Sequence, residues 1–236
     1  MKKFYHFLYP FVFLMSLCIS PHCAAEFHAP LITADIQQRM TPDDALDRLI
    51  QGNARFASDS GEKINYLKNR RLTEKAQHPI AIVLSCIDSR VPPDVIFNQN
   101  VGNIFVTRVA ANVINPDILA GLEYATGVSG AKLIVVMGHE NCGAVKGACQ
   151  DVKLGHLTQL LDKIQPAIQE ATATFGKKEC DNEKFINLAA EDNVRHVVAM
   201  IPTESPEIKK LMQSGKIKIV GAMYHLKTGR VVFLKT

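Results

Sequence analysis

Three short runs of apolar, mostly β-branched residues, IAIVLS from Ile80, NIFVTR from Asn103 and AKLIVVMG from Ala131, constrain the fold of this chain more than any other feature. Runs that are continuous rather than alternating suit strands buried on both faces of a sheet. Between the second and third lies NPDILAGLEYATGVSG, where Asn115 and Pro116 open a helix and the late glycines close it. Upstream, MTPDDALDRLIQGNARF reads as a helix capped by Thr41, with Pro42 first, acids in the first turn, and Ala45, Leu46, Leu49, Ile50 and Phe56 on one face. After Gly143 the pattern is mostly helical, over Leu154 to Glu170, Asn182 to Ile201 and Ser205 to Ser214. The end, KIKIVGAMYHLKTGRVVFLKT, reads as a strand, a turn at Lys227 to Arg230, and a second, antiparallel strand. The expected class is α/β: an open, mostly parallel central sheet flanked by helices, with a C-terminal antiparallel strand. No linker or internal repeat divides residues 26–236, which read as one domain.

The first 25 residues differ from the rest. MKKFYHFLYPFVFLMSLCISPHCAA has two lysines, an apolar stretch from Phe7 to Ile19 and then small residues, the pattern of a signal peptide cleaved near Ala25. The stretch contains Pro10 and is short for a membrane span, the competing reading being an uncleaved anchor. Loss of Lys2 and Lys3 would take the formal charge from +4 to +2. With no basic stripe and interleaved aromatics, nucleic acid is not an expected partner, nor is a membrane once the leader is gone. The expected location is the periplasm or the outside of the cell. Cys18 and Cys23 would leave with the leader, so Cys86, Cys142, Cys149 and Cys180 would meet an oxidising compartment. Whether Cys149 and Cys180 pair depends on a distance that sequence does not give.

Ligands of open α/β sheets bind beyond the carboxyl ends of the strands, and two of the apolar runs end there on reactive residues. IAIVLS runs into Cys86, Asp88 and Arg90; LIVVMG runs into HENCGAVKG. In HENC, His139 and Cys142 are three apart, so one turn brings both to the same side; in CID, Cys86 and Asp88 are two apart, so an extended segment does likewise. Two such pairs on neighbouring strands close a four-ligand site of thiolate, imidazole and carboxylate, a set that suits zinc. Taken singly, each residue has a plainer reading: a core thiol, a hydrogen-bonded loop histidine, an Asp88–Arg90 ion pair. A Cys86–Cys142 disulfide is a further alternative, one that leaves Asp88 and His139 without a role. HENCGAVKG lacks the spacing of a phosphate-binding glycine loop.

CIDSR followed about 50 residues later by GHENCGA resembles the β-class carbonic anhydrases, whose hallmark is C-x-D-x-R with H-x-x-C. The likeness extends from DALDRLIQGNARF through RVPPDVIF, GNIFVTRVAAN and GLEYA to YHLKTGRVVFL, and suggests a bacterial, exported member. It departs at Ile87, commonly serine in the family, whose side chain is expected to point away from the metal. The resemblance implies one zinc per subunit on Cys86, His139 and Cys142, with Asp88 either a fourth ligand or released to Arg90. It implies reversible hydration of carbon dioxide to bicarbonate and a proton by attack of zinc-bound hydroxide, with Asp88 and Arg90 as the catalytic pair. Arg90 would hold the carboxylate off the metal, and Asp88 would accept a hydrogen bond from the attacking group and aim it. Two thiolates donate more charge than imidazoles, so activity is expected to rise towards alkaline pH.

By position in the family pattern, Gln77 resembles the glutamine that binds the substrate oxygen, Phe105 and Tyr124 its pocket wall, and Gly143 an amide near the metal. The partners implied are carbon dioxide, bicarbonate and water, and further copies of the chain, as a homodimer or homotetramer whose pockets draw on both subunits. Some bacterial members carry an inhibitory bicarbonate pocket built from a tryptophan, a glycine and an arginine. Here the matching positions are Val83, Ser85 and Arg108, and the chain has no tryptophan, so that pocket is expected to be lacking. Two rival functions stand beside hydration: hydrolysis of carbonyl sulfide or carbon disulfide on the same fold, and a non-enzymatic module stapled by zinc or a disulfide.

Overall fold

The computed structural model describes Met1, residues 31–60 and residues 64–235. The segment read as a leader thus lies outside the described residues, apart from Met1. Five strands form one sheet in the order β2-β1-β3-β4-β5: β1 Ala81–Ser85, β2 Ile104–Arg108, β3 Leu133–His139, β4 Lys218–Tyr224 and β5 Val231–Phe233. β1 runs parallel to β2 and β3, β3 runs parallel to β4, and β5 closes antiparallel on β4. Helices α1 (Ala34–Arg39), α2 (Pro42–Ala57) and α3 (Tyr66–Leu72) precede β1; α4 (Pro93–Ile96) and α5 (Pro116–Glu123) fill the next two connections. Between β3 and β4 come α6 (Gly143–Cys149), α7 (Gly155–Asp162), α8 (Gln165–Phe175), α9 (Glu183–Glu204) and α10 (Pro206–Gln213).

The helices start where the capping chemistry directs. Thr41 accepts from the Asp44 amide while Asp44 accepts from that of Thr41, and Asn115, Asn182 and Ser205 cap α5, α9 and α10. The two faces of the sheet then divide the strand residues alternately. Ile82, Leu84, Ile134 and Val136 pack with Ile118, Val145, Phe185 and Val194; Ala81, Val83, Leu133, Val135 and Met137 pack with Leu49, Ile96 and Phe97. Each large side chain so buried contributes roughly 1.5–3 kcal/mol, which makes the central strands the least deformable part of the molecule.

Two expectations need correction. β2 is not buried on both faces: it is the sheet edge, and beyond Ile104 its residues are only half-buried. The expected helix from Leu154 to Glu170 is two, α7 and α8, because Pro166 has no amide hydrogen with which to continue the ladder of hydrogen bonds from α7. α9 lies very close to the sheet. A Cβ on Gly138 would stand 2.7 Å from Val194 Cγ2, and one on Gly221 would stand 2.8 Å from Val194 Cγ1, so Val194 fills the space these glycines leave. No helix among the described residues is long and apolar enough to cross a membrane.

Candidate metal centre

β1 ends at Ser85, and the alternation that turns Ile82 and Leu84 to the α9 face carries Cys86 there too, with 4 % exposure. The extended path ends before Arg90. A turn begins at Asp88, whose carbonyl accepts from the Val91 amide at 3.0 Å, while its Oδ1 accepts from the Arg90 amide at 2.9 Å, a local use typical of aspartate. The turn folds Arg90 back on Asp88: Nε donates to Oδ1 at 2.9 Å and Nη2 to Oδ2 at 2.7 Å. Asp88 is therefore in the released arrangement, paired bidentately with Arg90. Ile87, 62 % exposed, points away from the centre.

The other half of the centre comes from the carboxyl end of β3. His139 is fully buried, and its Nδ1 lies 2.8 Å from the Glu140 carbonyl, an acceptor, so Nδ1 carries the proton. This leaves Nε2 as a buried lone pair without a hydrogen-bond partner, 3.9 Å from Asp88 Oδ2. Cys142 follows at the cap of α6. The Sγ atoms of Cys86 and Cys142 and a ring nitrogen of His139 all lie within 4.8 Å of one another. The sulfurs are 4.0 Å apart and unbonded, near the ~3.8 Å between two thiolates on a tetrahedral zinc with Zn–S of about 2.3 Å. An orphaned imidazole nitrogen facing two buried sulfurs is a donor set that fits zinc.

The electrostatics agree. The Cys86 thiol is pulled far below its usual range, chiefly by the Cys142 thiol hydrogen-bonded to it, then by His139 and the amides of Asp88 and Ala111. Cys142 is pushed up by the same shared proton and by burial. Binding of a metal by both sulfurs must displace whatever thiol proton lies between them. Arg90 holds the Asp88 carboxyl down at about 2.

Sequence reasoning missed the supporting role of several residues, Arg108 among them, which it had matched only to the inhibitory-pocket pattern. Arg108, at the carboxyl end of β2, donates to the Cys86 carbonyl at 2.9 Å and to the Asp88 carbonyl at 2.5 Å, latching the loop that carries both side chains. The Glu140 carboxylate accepts from the Leu226 amide at 3.0 Å and lies 2.8 Å from His225 Nδ1, tying the His139 loop to the β4–β5 turn. Arg108, a cation ending an apolar run, was the one such residue with a visible signal.

The expected substrate-pocket residues are dispersed. Gly143 opens α6 beside Cys142, with open space around its Cα. Phe105 lies opposite Ile82, four residues before Cys86 and so roughly 13 Å along the strand. Its ring is 6.2 Å from that of Tyr124, and Tyr124 lines a cleft of about 660 Å³ against α10 that includes no metal-centre residue. Gln77 is exposed before β1, near Gly102, at the amino end of the sheet and away from Cys86.

A family profile described as carbonic anhydrase matches residues 81–231. The chain belongs to the carbonic anhydrase family. It is 33 % identical to a carbonic anhydrase of Mycolicibacterium smegmatis over 198 residues, 80 % of this chain and 92 % of that one. It is 36 % identical to beta carbonic anhydrase 3 of Arabidopsis thaliana, over 79 % of this chain and 75 % of that one. Among solved structures, the β-carbonic anhydrase CcaA superposes with a TM-score of 0.65 at 27 % identity, covering 80 % of this chain and 95 % of that one. Carbonic anhydrase membership accounts for the cysteine–histidine–cysteine cluster at the two strand ends, and the β class for the parallel sheet that places it.

Proposed function

We propose that this carbonic anhydrase is a β-class enzyme that hydrates carbon dioxide reversibly at the centre formed by Cys86, His139 and Cys142. The observation that carries the reading is the convergence of two buried sulfurs and an unpaired imidazole nitrogen, with the Asp88 carboxylate alongside and pinned by Arg90. Cys86, His139 and Cys142 would hold zinc, which supplies the Lewis acidity that makes water a nucleophile near neutral pH. Asp88, kept ionised by Arg90, accepts a hydrogen bond from the attacking oxygen and orients it toward the carbon of carbon dioxide. Arg90 prevents the carboxylate from taking the coordination position the reaction needs. Zinc analysis with stopped-flow hydration by wild type and Asp88→Asn tests this: wild type is active and the variant strongly impaired. A zinc-loaded wild type inactive from pH 7 to 9, or one that turns over carbonyl sulfide in preference, would refute it.

The same reading includes export and self-association. A leader over residues 1–25, a single catalytic domain over 26–236 and a periplasmic or extracellular site suit the Cys149–Cys180 disulfide, a bond that persists in oxidising compartments. Cell fractionation and N-terminal sequencing of the mature protein test it, with Glu26 the expected first residue. An oligomer suits the half-buried edge strand β2 and the exposed Tyr66, Leu67, Leu72 and Val101 near the amino end of the sheet.

A further inference from the structure

Cys142 differs from Cys86 in how it is held. Cys86 directly follows a strand buried on both faces, whereas Cys142 stands between a two-residue loop, Glu140 and Asn141, and α6, a helix of only seven residues. A helix so short has little stability of its own, so tertiary contacts must fix it. The loop turns at Asn141, in the left-handed region with φ 52°. The Asn141 amide donates to Asn187 Oδ1 at 2.8 Å, and its side chain donates to Glu183 Oε1 at 3.0 Å. Both acceptors lie in the first turns of α9, which is itself seated on the sheet by Val194 between Gly138 and Gly221. The far end of α6 is secured from the same direction: its last residue, Cys149, is disulfide-bonded to Cys180, with Cα atoms 5.5 Å apart, just before α9 begins. The buried side of the helix, Val145, Ala148 and Cys149, faces the core between these two fastenings.

We propose that the segment from Cys180 to Asn187 is a brace that positions the metal ligand Cys142, with Asn187 fixing the loop before it and the Cys149–Cys180 disulfide fixing the helix after it. The proposal rests on the zinc-centre reading above. Asn187 and the disulfide touch neither substrate nor metal; they act through Asn141 and α6. Their function is to keep the Cys142 sulfur at coordinating distance from Cys86 and His139, so their loss shows first as faster release of zinc. Supporting partners of this kind commonly change metal affinity by about 10–100-fold.

The test uses the zinc-loaded full-length protein, with the disulfide formed wherever both cysteines are kept. Zinc transfer to an excess of a chelating dye at 25 °C is followed alongside far-ultraviolet circular dichroism for wild type, Cys149→Ala with Cys180→Ala, Asn187→Ala and Asn187→Asp. The expected result is release about 10–100-fold faster from the disulfide-free variant and from Asn187→Ala while the dichroism stays native. Asn187→Asp, which retains an acceptor oxygen for the Asn141 amide, should restore slow release. Cobalt-substituted protein should show weakened thiolate-to-cobalt absorption in the two fast variants. If the disulfide-free chain does not fold, Asn187→Ala decides, since it leaves the disulfide in place. Release unchanged from wild type, or release only in step with loss of dichroism, overturns the brace and leaves the zinc centre standing. A correctly folded wild type that binds no zinc overturns both.

Discussion

At Asp88 a carboxylate must stay ionised beside two thiolates yet stay off the metal they hold, and one guanidinium meets both demands. The Arg90 fork lowers the Asp88 pKa to about 2, so the carboxylate is charged at any pH used for assay. A folded-state pKa below the unfolded value gives stability that is present above about pH 4 and lost as pH falls through about 2. Asp88 therefore contributes no titration between pH 7 and 9; the expected rise of activity over that range would come from the Lewis acidity that zinc held by Cys86, His139 and Cys142 would supply. Arg90→Ala should lower kcat/KM by about 100-fold at every pH without displacing the profile, as measured by stopped-flow hydration; a shifted profile with an unchanged plateau would contradict the positioning role. Asp192, on α9, has the opposite sign. It is 8 % exposed with Oδ2 lacking a hydrogen-bond partner, and burial, with Glu170 and Glu191 nearby, raises its pKa to about 6. Its protonated form favours the fold, a contribution complete below about pH 4 and lost as pH rises through 6. Asp192→Asn should raise Tm by about 3 °C or more at pH 8, with the gain vanishing near pH 4. Equal Tm for the two proteins at pH 8 would show that the ionised carboxylate is accommodated.

Among the elements, α9 bears most directly on the centre, since it packs on β3 next to His139 and reaches the loop before Cys142. Its approach depends on Gly138. Alanine there would place a Cβ 2.7 Å from Val194 Cγ2 and 2.9 Å from Met223 Sδ, so Gly138→Ala should destabilise the protein by about 1–3 kcal/mol through overpacking. Adding Val194→Ala should return part of that, a coupling that urea denaturation of the single and double variants can measure. Additive losses would mean that the helix does not bear on that glycine. The same elements explain how far the sequence could be read. β1 and β3 were legible because both faces of each are covered within one chain, so composition alone identifies them. The ligands were legible because strand ends and short spacings fix where Cys86, His139 and Cys142 project. NIFVTR has a similar composition but lies at the sheet edge, and nothing local to it distinguishes an edge strand from a central one. The fastenings of Cys142 were hidden for a related reason: Asn187 and Cys180 meet α6 and its loop only after α7, α8 and α9 have packed.

For the molecule as a whole, the position of Gln77 poses a specific question. It lies at the amino end of the parallel strands, near Gly102, whereas the thiolates lie at the carboxyl end, so within one chain it does not reach the metal. A two-fold axis beside the edge strand would change that. Identical strands related by a two-fold pair antiparallel, so joining β2 to its copy would set the amino end of one sheet beside the carboxyl end of the other. Each centre would then receive Gln77 of the partner subunit. The arrangement would also cover the open edge of β2, which otherwise leaves backbone donors and acceptors unpaired. It predicts complementation between two inactive proteins. Asp88→Asn spoils the centre on its own chain, and Gln77→Ala spoils the centre of the other subunit. In a mixed dimer both defects fall on the same centre, the one whose ligands come from the Asp88→Asn chain. The second centre takes Asp88 from the Gln77→Ala chain and Gln77 from the Asp88→Asn chain, and is intact. Random exchange makes about half the dimers mixed, each with one sound centre in two, so hydration activity should recover to about a quarter of wild type. Mixed dimers verified by tag pull-down that stay as inactive as their parents would show that Gln77 does not serve the centre of a second subunit.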